Sequence, residues 1–408
     1  MSCINLRRPY QVIALAFISS IFFTVPFQTA AQSSGESLPT DQIAGTHPPV
    51  GPGSVIVHSK FGGQIFGFDI DQNGTEGVLS EAHDIAGGNV LAAVETFDQA
   101  TGKILKVISK TMTKDDYLTL GVVGGVGLIE REHVQGIFVA NRIYQEINPL
   151  SSGRFSPQRW TPPLASKDII QGISRNQASS TTAVLAFTND GSTFAPFVFG
   201  SDVVANTFQP FITLTDPAFV TSNLPQVAYD NVSNQAVVAS SDAAVGGPAP
   251  VIALVDLALG TVNEFKGLRG PFPFRQGSIN GLAVDSEDGI ACTTTEVDFR
   301  VEFYDLKAQT GFAVTLPGAT GQLQSGSDVE YDPVHKLFLV AQSVSSTGSG
   351  SSIQVYDPQG NLVESLDGFN FSNASNVVFT HIALNPNNRS GYVDGPDSGV
   401  SQIQSFTY

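Results

Sequence analysis

Repetition is what most limits how this 408-residue chain can fold. A short apolar strand ending in a turn-forming polar residue occurs seven times. The copies are Ile65-Phe66-Gly67-Phe68-Asp69, Gly127-Leu128-Ile129-Glu130, Gly172-Ile173-Ser174-Arg175-Asn176, Val227-Ala228-Tyr229-Asp230, Leu282-Ala283-Val284-Asp285, Val329-Glu330-Tyr331-Asp332 and Ile382-Ala383-Leu384-Asn385. They recur about every 50 residues, a spacing that marks an array of equal structural units. A second element follows most of them: an apolar pair, an Asp, a few turn residues with a Gly, then another strand. Its clear copies are Phe97-Asp98 with Gly102, Val255-Asp256 with Gly260, Tyr304-Asp305 with Gly311, and Tyr356-Asp357 with Gly360. Further strands such as Lys336-Leu337-Phe338-Leu339-Val340 lie between the two elements.

Each unit thus supplies four antiparallel strands, here called a to d. One such sheet cannot bury both of its faces, but a ring of them can. The expected fold is an all-β propeller of seven four-stranded blades, at 64–110, 120–164, 168–215, 224–268, 279–317 and 326–368 with a last one from 378. The units over 120–215 follow the pattern least well, so the alternative is six blades with an irregular segment there. The last unit has strand a at His381–Leu384, strand b near Gly391–Val393 and strand c at Val400–Tyr408, and then the sequence stops. Ser54–His58 is a strand without a repeat of its own. Val55-Ile56-Val57 is therefore expected to supply the missing strand d and close the ring, leaving no blade edge unpaired.

Residues 1–31 read as an export signal. Arg7 and Arg8 form a basic start, Val12 to Val25 an apolar run, and Thr29-Ala30-Ala31 a small-residue cleavage site before Gln32. The apolar run is short for a membrane span and no second one follows, so the expectation is a secreted or periplasmic protein with no span after cleavage. Residues 32–53 are rich in Ser, Gly and Pro and read as a flexible linker, leaving 54–408 as the propeller domain. Removing Arg7 and Arg8 from the 20 basic residues leaves 18 against 37 acidic ones, a net charge of −19. A chain this acidic repels nucleic acid and anionic lipid surfaces, which argues against both as partners. Cys292 is the one cysteine beyond the signal, so no disulfide within the mature chain is available, and the core must hold a monomer of about 375 residues. Sequons at Asn73, Asn231, Asn370, Asn373 and Asn388 bear on the molecule only in a eukaryotic secretory path.

The start of each strand a is expected to face the mouth of a central channel. Those positions include Gln171, Gln226, Asn280, Asp328 and His381. Carboxamides, a carboxylate and an imidazole converging on one funnel can bind a polar ligand or a divalent metal; they can equally hydrate the channel or bond one another. Asp69, Asp71 and Asn73, followed by Gly74, match the opening of a calcium loop with oxygen ligands at alternate positions. The twelfth position, Ser80, is not the usual bidentate Glu, and Asn73-Gly74 is also a favoured hairpin turn. The acidic stretches Asp285–Asp288 and Asp394–Asp397 read as solvated turns. Neither a Gly-x-Ser-x-Gly elbow nor a His-Glu-x-x-His helix occurs. Cys292 falls in an apolar strand, as a buried thiol would. Glu130-Arg131-Glu132-His133 reads as a polar strand end, because alternation puts its acids and its His on opposite faces. Trp160 is the one tryptophan, and Phe272 and Phe274 form an aromatic loop that is a contact patch or packing beneath the ring.

Tyr331-Asp332-Pro333 with Lys336-Leu337-Phe338, Val355-Tyr356-Asp357 with Gly360-Asn361-Leu362, and Ser278–Asp285 resemble the blades of the NHL-like, YVTN-like and gluconolactonase-like propellers. The resemblance covers nearly all of the mature chain. It implies the propeller fold and a calcium held at strand-a entries by a Glu, an Asn and an Asp, as in the gluconolactonase-like families. Asn280 and Asp328 match two of those places and no Glu matches the third. The YVTN-type lactone hydrolases carry Pro-Arg-His at a strand entry, of which Thr380-His381 keeps the His alone. The function expected is a module that binds a protein or a small polar ligand and carries no recognisable catalytic set. The alternative is a calcium-assisted lactonase or other hydrolase at the channel mouth.

Overall fold

The structure is a computed structural model that describes residues 50–408 apart from several stretches, the largest at 114–125, 150–157, 270–278 and 370–380. The signal-sequence expectation, Trp160, the Phe272–Phe274 loop and Asn73 lie outside the described residues, and so do the side chains of Glu130–His133.

Among the described residues, the strands pair into seven antiparallel sheets. β1 (Gly51–His58) is set aside by the chain until the end. The first sheet is β2 (Gln64–Ile70), β3 (Glu76–Ile85), β4 (Asn89–Asp98) and β5 (Ile104–Thr113). The next is β6 (Val126–Arg131), β7 (Val134–Val139), β8 (Glu146–Pro149) and β9 (Gln158–Arg159). The third is β10 (Asp168–Arg175), β11 (Thr181–Asn189), β12 (Phe194–Asp202) and two outer fragments, β13 (Thr207–Phe208) and β14 (Ile212–Thr213). The fourth is β15 (Gln226–Asp230), β16 (Gln235–Ala239), β17 (Val251–Asp256) and β18 (Thr261–Lys266). The fifth is β19 (Ile279–Asp285), β20 (Ile290–Thr295), β21 (Arg300–Asp305) and β22 (Thr310–Thr315). The sixth is β23 (Gln324–Asp332), β24 (Leu337–Val344), β25 (Ser352–Tyr356) and β26 (Leu362–Leu366). β27 (His381–Asn385), β28 (Ser390–Asp397) and β29 (Val400–Thr407) make the last, and β1 joins it as the outer strand.

That last pairing is the expected closure. β1 runs antiparallel to β29, with Val57 opposite Ile403 and Gly51 opposite Thr407. The strand begins at Gly51, so the linker ends three residues earlier than its Ser, Gly and Pro content implied. Strands a pack against strands a of neighbouring sheets, as β10 does on β15, β15 on β19, β19 on β23, β23 on β27 and β27 on β2, and so form the inner wall. The outer strands β18, β22 and β26 are mostly exposed.

The molecule is an all-β propeller, and its core is a series of apolar seams between sheets. One seam joins the third and fourth sheets through Leu185, Val198, Tyr229, Val251, Ala253 and Val255. The next joins fourth to fifth through Val237, Ile252, Phe265, Ile279 and Tyr304. Cys292, Phe303, Val329 and Phe338 join fifth to sixth. Leu339, Val355, Ile382 and Phe406 join sixth to last. Val57, Ile65, Leu79, Phe97, Tyr392 and Ile403 join last to first. These seams link six sheets, which is the alternative blade count. The β6–β9 sheet touches the first sheet through β2 and β3, and its side chains lie outside the described residues.

The turn chemistry explains the repeat. In the a–b hairpins, Asp230, Asp285 and Asp332 each accept bonds from the backbone N–H groups two and three residues on, at 2.8–3.2 Å. Four residues past the cap the backbone turns left-handed, at Asn234 (φ 55°), Gly289 (φ 75°), Lys336 (φ 55°) and, after Asn385, Arg389 (φ 50°). The c–d hairpins follow the same plan from Asp98 to Gly102, Asp256 to Gly260 and Asp305 to Gln309. The left-handed residue after Asp305 is thus Gln309 and not Gly311. Gly311 is needed instead because a Cβ there would lie 2.7 Å from the Tyr304 ring. Two acidic stretches also differ from expectation, since Asp285 is buried as a hairpin cap and Asp394 is fully buried within β28.

The closure has a direct test. Deleting residues 51–58 removes Val57 from its seam and bares the β29 edge, so Tm falls by at least about 5 °C for a loss of several kcal/mol. A chain starting at Val50 melts with the full-length protein. Equal melting of the two truncations would show that β1 does not close the ring.

Candidate functional site

The entries of strands a were expected to hold ligand-binding groups. The structure uses most of them to tie blades together. Gln171 sits at a bulge in β10, where the register slips between Ile170 and Gly172, and its Nε2 donates to the Pro225 carbonyl of the next sheet at 3.0 Å. Gln226 Nε2 donates to the Ile279 carbonyl, again one sheet on, at 3.3 Å. Asn280 occupies the equivalent bulge of β19. The following residue, Gly281, lies so close to β23 that a Cβ would meet Val329 N at 2.5 Å and Asp328 Oδ1 at 2.7 Å.

Asp328 and His381 do come together, and a third group joins them. Asp328 Oδ2 accepts from Ile382 N at 3.1 Å, across the junction of the sixth and last sheets. His381 donates its backbone N–H to Asp394 Oδ1 at 2.6 Å, and its Nδ1 lies 3.1 Å from Asp394 Oδ2. Asp394 is fully buried, whereas 22% of the His381 side chain is exposed. Burial raises the Asp328 carboxyl to about 7, with the nearby His381 opposing that rise and Asp394 adding to it. Protein atoms enclose the Asp328 carboxyl, although part of the residue still touches solvent on the inner wall. A buried carboxylate that fixes one imidazole nitrogen leaves Nε2 to exchange protons, which is the orientation a general base needs.

The suggested calcium residues lie at the opposite, hairpin end. Asp71 is 3% exposed and caps its own hairpin. Its carboxylate accepts from Thr75 N at 2.8 Å, Glu76 N at 3.1 Å and Gln99 Nε2 at 2.9 Å, and from the Thr75 hydroxyl. Asp69 Oδ1 accepts from Ile70 N at 2.9 Å. These donors already fill the Asp71 lone pairs, so the segment is organised as a turn. Among the described residues, no group of three or more His, Cys, Asp or Glu is arranged to hold a metal ion. Burial, with the Glu302 carboxylate adding to it, pushes the Cys292 thiol well above its ordinary range, where it is a poor nucleophile.

A second polar set was missed. Glu95, Glu302 and Gln354 each precede a c–d turn Asp by three residues, and all three are buried. Glu95 accepts from Lys60 N at 2.8 Å. Glu302 accepts from Tyr304 OH at 2.5 Å, and Tyr304 OH in turn accepts from Leu268 N at 3.0 Å. In the sixth sheet Gln342 Nε2 donates to the Pro317 carbonyl at 3.0 Å, and its Oε1 is linked through Ser352 Oγ to Gln354. Each backbone partner belongs to the connection that brings the chain from one sheet into the next. Aligning the units on Asp98, Asp305 and Asp357 would have exposed this position, because acids and amides stand there among apolar neighbours.

No protein-family model matches the sequence, and no curated protein matches it. Solved structures do resemble it. The β-propeller domain of Cps50 (Swd1) from Myceliophteria thermophila superposes with a TM-score of 0.54 at 12% identity, covering 88% of this chain and 100% of that one. Raptor from Chaetomium thermophilum gives 0.58 at 10% identity, covering 88% of this chain and 30% of that one. A chain of the Mitotic Checkpoint Complex gives 0.50 at 12% identity, covering 95% and 99%. At these identities the likeness establishes the fold, a β-propeller.

The blade ties predict a measurable cost. Gln171→Ala and Gln226→Ala each remove one side-chain bond, worth about 1 kcal/mol. Each should lower Tm by roughly 1–3 °C, and the double variant by the sum, because the two ties lie in different junctions. Unchanged melting in both single variants would return these residues to a ligand-binding role.

Proposed function

We propose that this chain is an exported, non-catalytic propeller that binds a protein partner on the hairpin end of its ring. The observation that carries the reading is where the large apolar side chains stay exposed. Val232 (72%) and Val334 (59%) stand at a–b turn tips, and Leu259 (76%) stands at a c–d turn tip. In an antiparallel four-stranded sheet both turn types fall at one end, so the three share a face of the fourth to sixth sheets. Phe312, stacked on Phe303, and Leu362 are exposed near the same end. Asp caps tie these loops to their own backbone, which lowers the entropic cost of binding. The formal charge of −17 favours a partner with basic groups around an apolar centre. Membership of a checkpoint complex by one structural neighbour is consistent with a binding role. Export rests on the signal-like residues 1–31, and the blade grammar supports kinship with NHL-like and YVTN-like propellers.

The combined variant V232D/L259D/V334D should melt within about 2 °C of the parent, since exposed positions shift stability little. Immobilised full-length protein should capture a partner from the host's exported fraction, and the variant should lose it. Capture of the same protein by both forms would overturn the proposed face.

The second reading is a hydrolase at Asp328, His381 and Asp394, favoured by the hold of Asp394 on the imidazole. Its calcium-assisted form predicts that calcium added after EDTA raises Tm by several degrees, as a specific ligand well above its Kd stabilises by about 2.7 kcal/mol. The binding-module reading expects no such rise. A rise that Asp328→Ala abolishes would favour the hydrolase, and a rise that survives it would point to Asp69 and Asp71.

A further inference from the structure

We infer that Glu81 and Glu95 form a pH-dependent clasp on the segment that carries the chain from the closing strand into the first sheet. Both residues are fully buried. They stand on adjacent strands, with Leu79 opposite Glu95 and Ala93 opposite Glu81. That register puts the two carboxyls on one face as diagonal neighbours, within reach for long side chains. The segment Ser59–Gly63 lies directly on them. Lys60 N donates to Glu95 Oε2 at 2.8 Å, Phe61 N to Glu81 Oε1 at 3.1 Å, and Gly63 N to Glu81 Oε2 at 2.7 Å. There is no slack at the end of the segment, for a Cβ on Gly63 would meet the Ala82 carbonyl at 2.4 Å.

Glu95 Oε1 is buried with no hydrogen-bond donor among the described residues, and a proton shared with Glu81, its diagonal neighbour, gives it a partner. Two carboxylates this close and this buried cannot both be charged at low cost. The groups facing the pair offer little compensation. Lys60, from the connection itself, is the cation whose attraction opposes the rise. On β3, His83 lies two residues along the same face as Glu81, while β2 places Ile65 opposite Glu81 and β5 places Val107 opposite Glu95. Burial first, then the bond to Glu81, holds the Glu95 carboxyl up to about 8, against an ordinary value of 4.5. Between those values the folded protein keeps a proton that the unfolded chain has lost. The stabilisation is therefore complete below pH 4.5 and disappears as pH rises through 8. Above 8 the shared proton leaves, the carboxylates repel, and the three N–H bonds to the connection weaken together. The device acts where the ring closes, since Ser59 directly follows β1.

Peptide-resolved hydrogen exchange on the full chain at about pH 5.5 and about pH 8.5, corrected for intrinsic rates, reads this locally. Protection over residues 51–63 should fall roughly tenfold or more at the higher pH, while residues 226–266 keep theirs. Glu95→Gln, which stays neutral, should remove most of that difference, and Glu81→Gln serves if the first variant does not fold. The local readout also separates the clasp from Asp328, which titrates at another junction. Equal pH response in residues 51–63 and 226–266, or a response in Glu95→Gln as large as in the parent, would overturn the inference.

Discussion

Antiparallel pairing of β1 with β29 is the interaction on which the rest of the ring depends. A propeller sheet has two faces to bury and can do so only against neighbours on both sides. Without β1 the last sheet would end at β29, with a free edge and a half-covered seam. With it, Val57 enters the seam shared by the last and first sheets, beside Ile65, Phe97 and Ile403. The turn of the first sheet comes so near that a Cβ on Gly102 would meet the Ile56 carbonyl at 2.6 Å. A strand from one end of the sequence thus braces both the sheet it completes and the sheet that follows it. In a chain whose one described cysteine is free and buried, this non-covalent joint takes the part a cross-link would otherwise play.

Closing a ring creates a second problem, that of the connections between sheets. Their backbone N–H and carbonyl groups run between packed seams and need partners that are not in any strand ladder. The buried Glu, Gln and Tyr groups on strands b and c answer that need, at Glu81 and Glu95, at Glu302 and Tyr304, and at Gln342. Burying a carboxylate is costly unless it is fully bonded. At the closing joint that cost is met by sharing a proton, and stability becomes linked to pH as a consequence. Elsewhere Glu302 reaches Arg300 at 2.7 Å, and an ion pair serves the same end.

The repeat was legible because it is written by turn chemistry. Asp at a cap, with a Gly in many of the turns, is a local demand visible without any alignment, and it placed each sheet within a few residues. Closure was legible too, since counting strands left one over at the start and one missing at the end. What stayed hidden were roles decided by packing. Asp394 lies in an acidic stretch that reads as a solvated turn, yet β28 carries it into the wall beside His381. Gln171 and Gln226 have the polarity of ligand-binding groups, and only the proximity of the next sheet shows that backbone carbonyls take up their Nε2 groups, Gln171 Oε1 staying buried without a partner among the described residues. Asp71 illustrates the same limit: a calcium loop and an Asx-capped hairpin share their opening residues, and the difference lies in which donors fill the oxygens.

The two ends of the ring are therefore chemically unlike. At the strand-a end, polar side chains turn inward upon the protein's own backbone, and close approaches such as Gly281 on Asp328 leave little room for rearrangement. At the hairpin end the capping carboxylates are equally committed, but to their own turns, which frees the residues at the tips from any structural duty. Val232, Leu259 and Val334 are then not required by the fold, and hydration of exposed apolar surface is a standing cost. A loop held by its Asp cap that displays an apolar side chain two or three residues on gains from a partner without having to reorganise. That asymmetry, more than any catalytic grouping, is the physical basis for assigning recognition to the hairpin end.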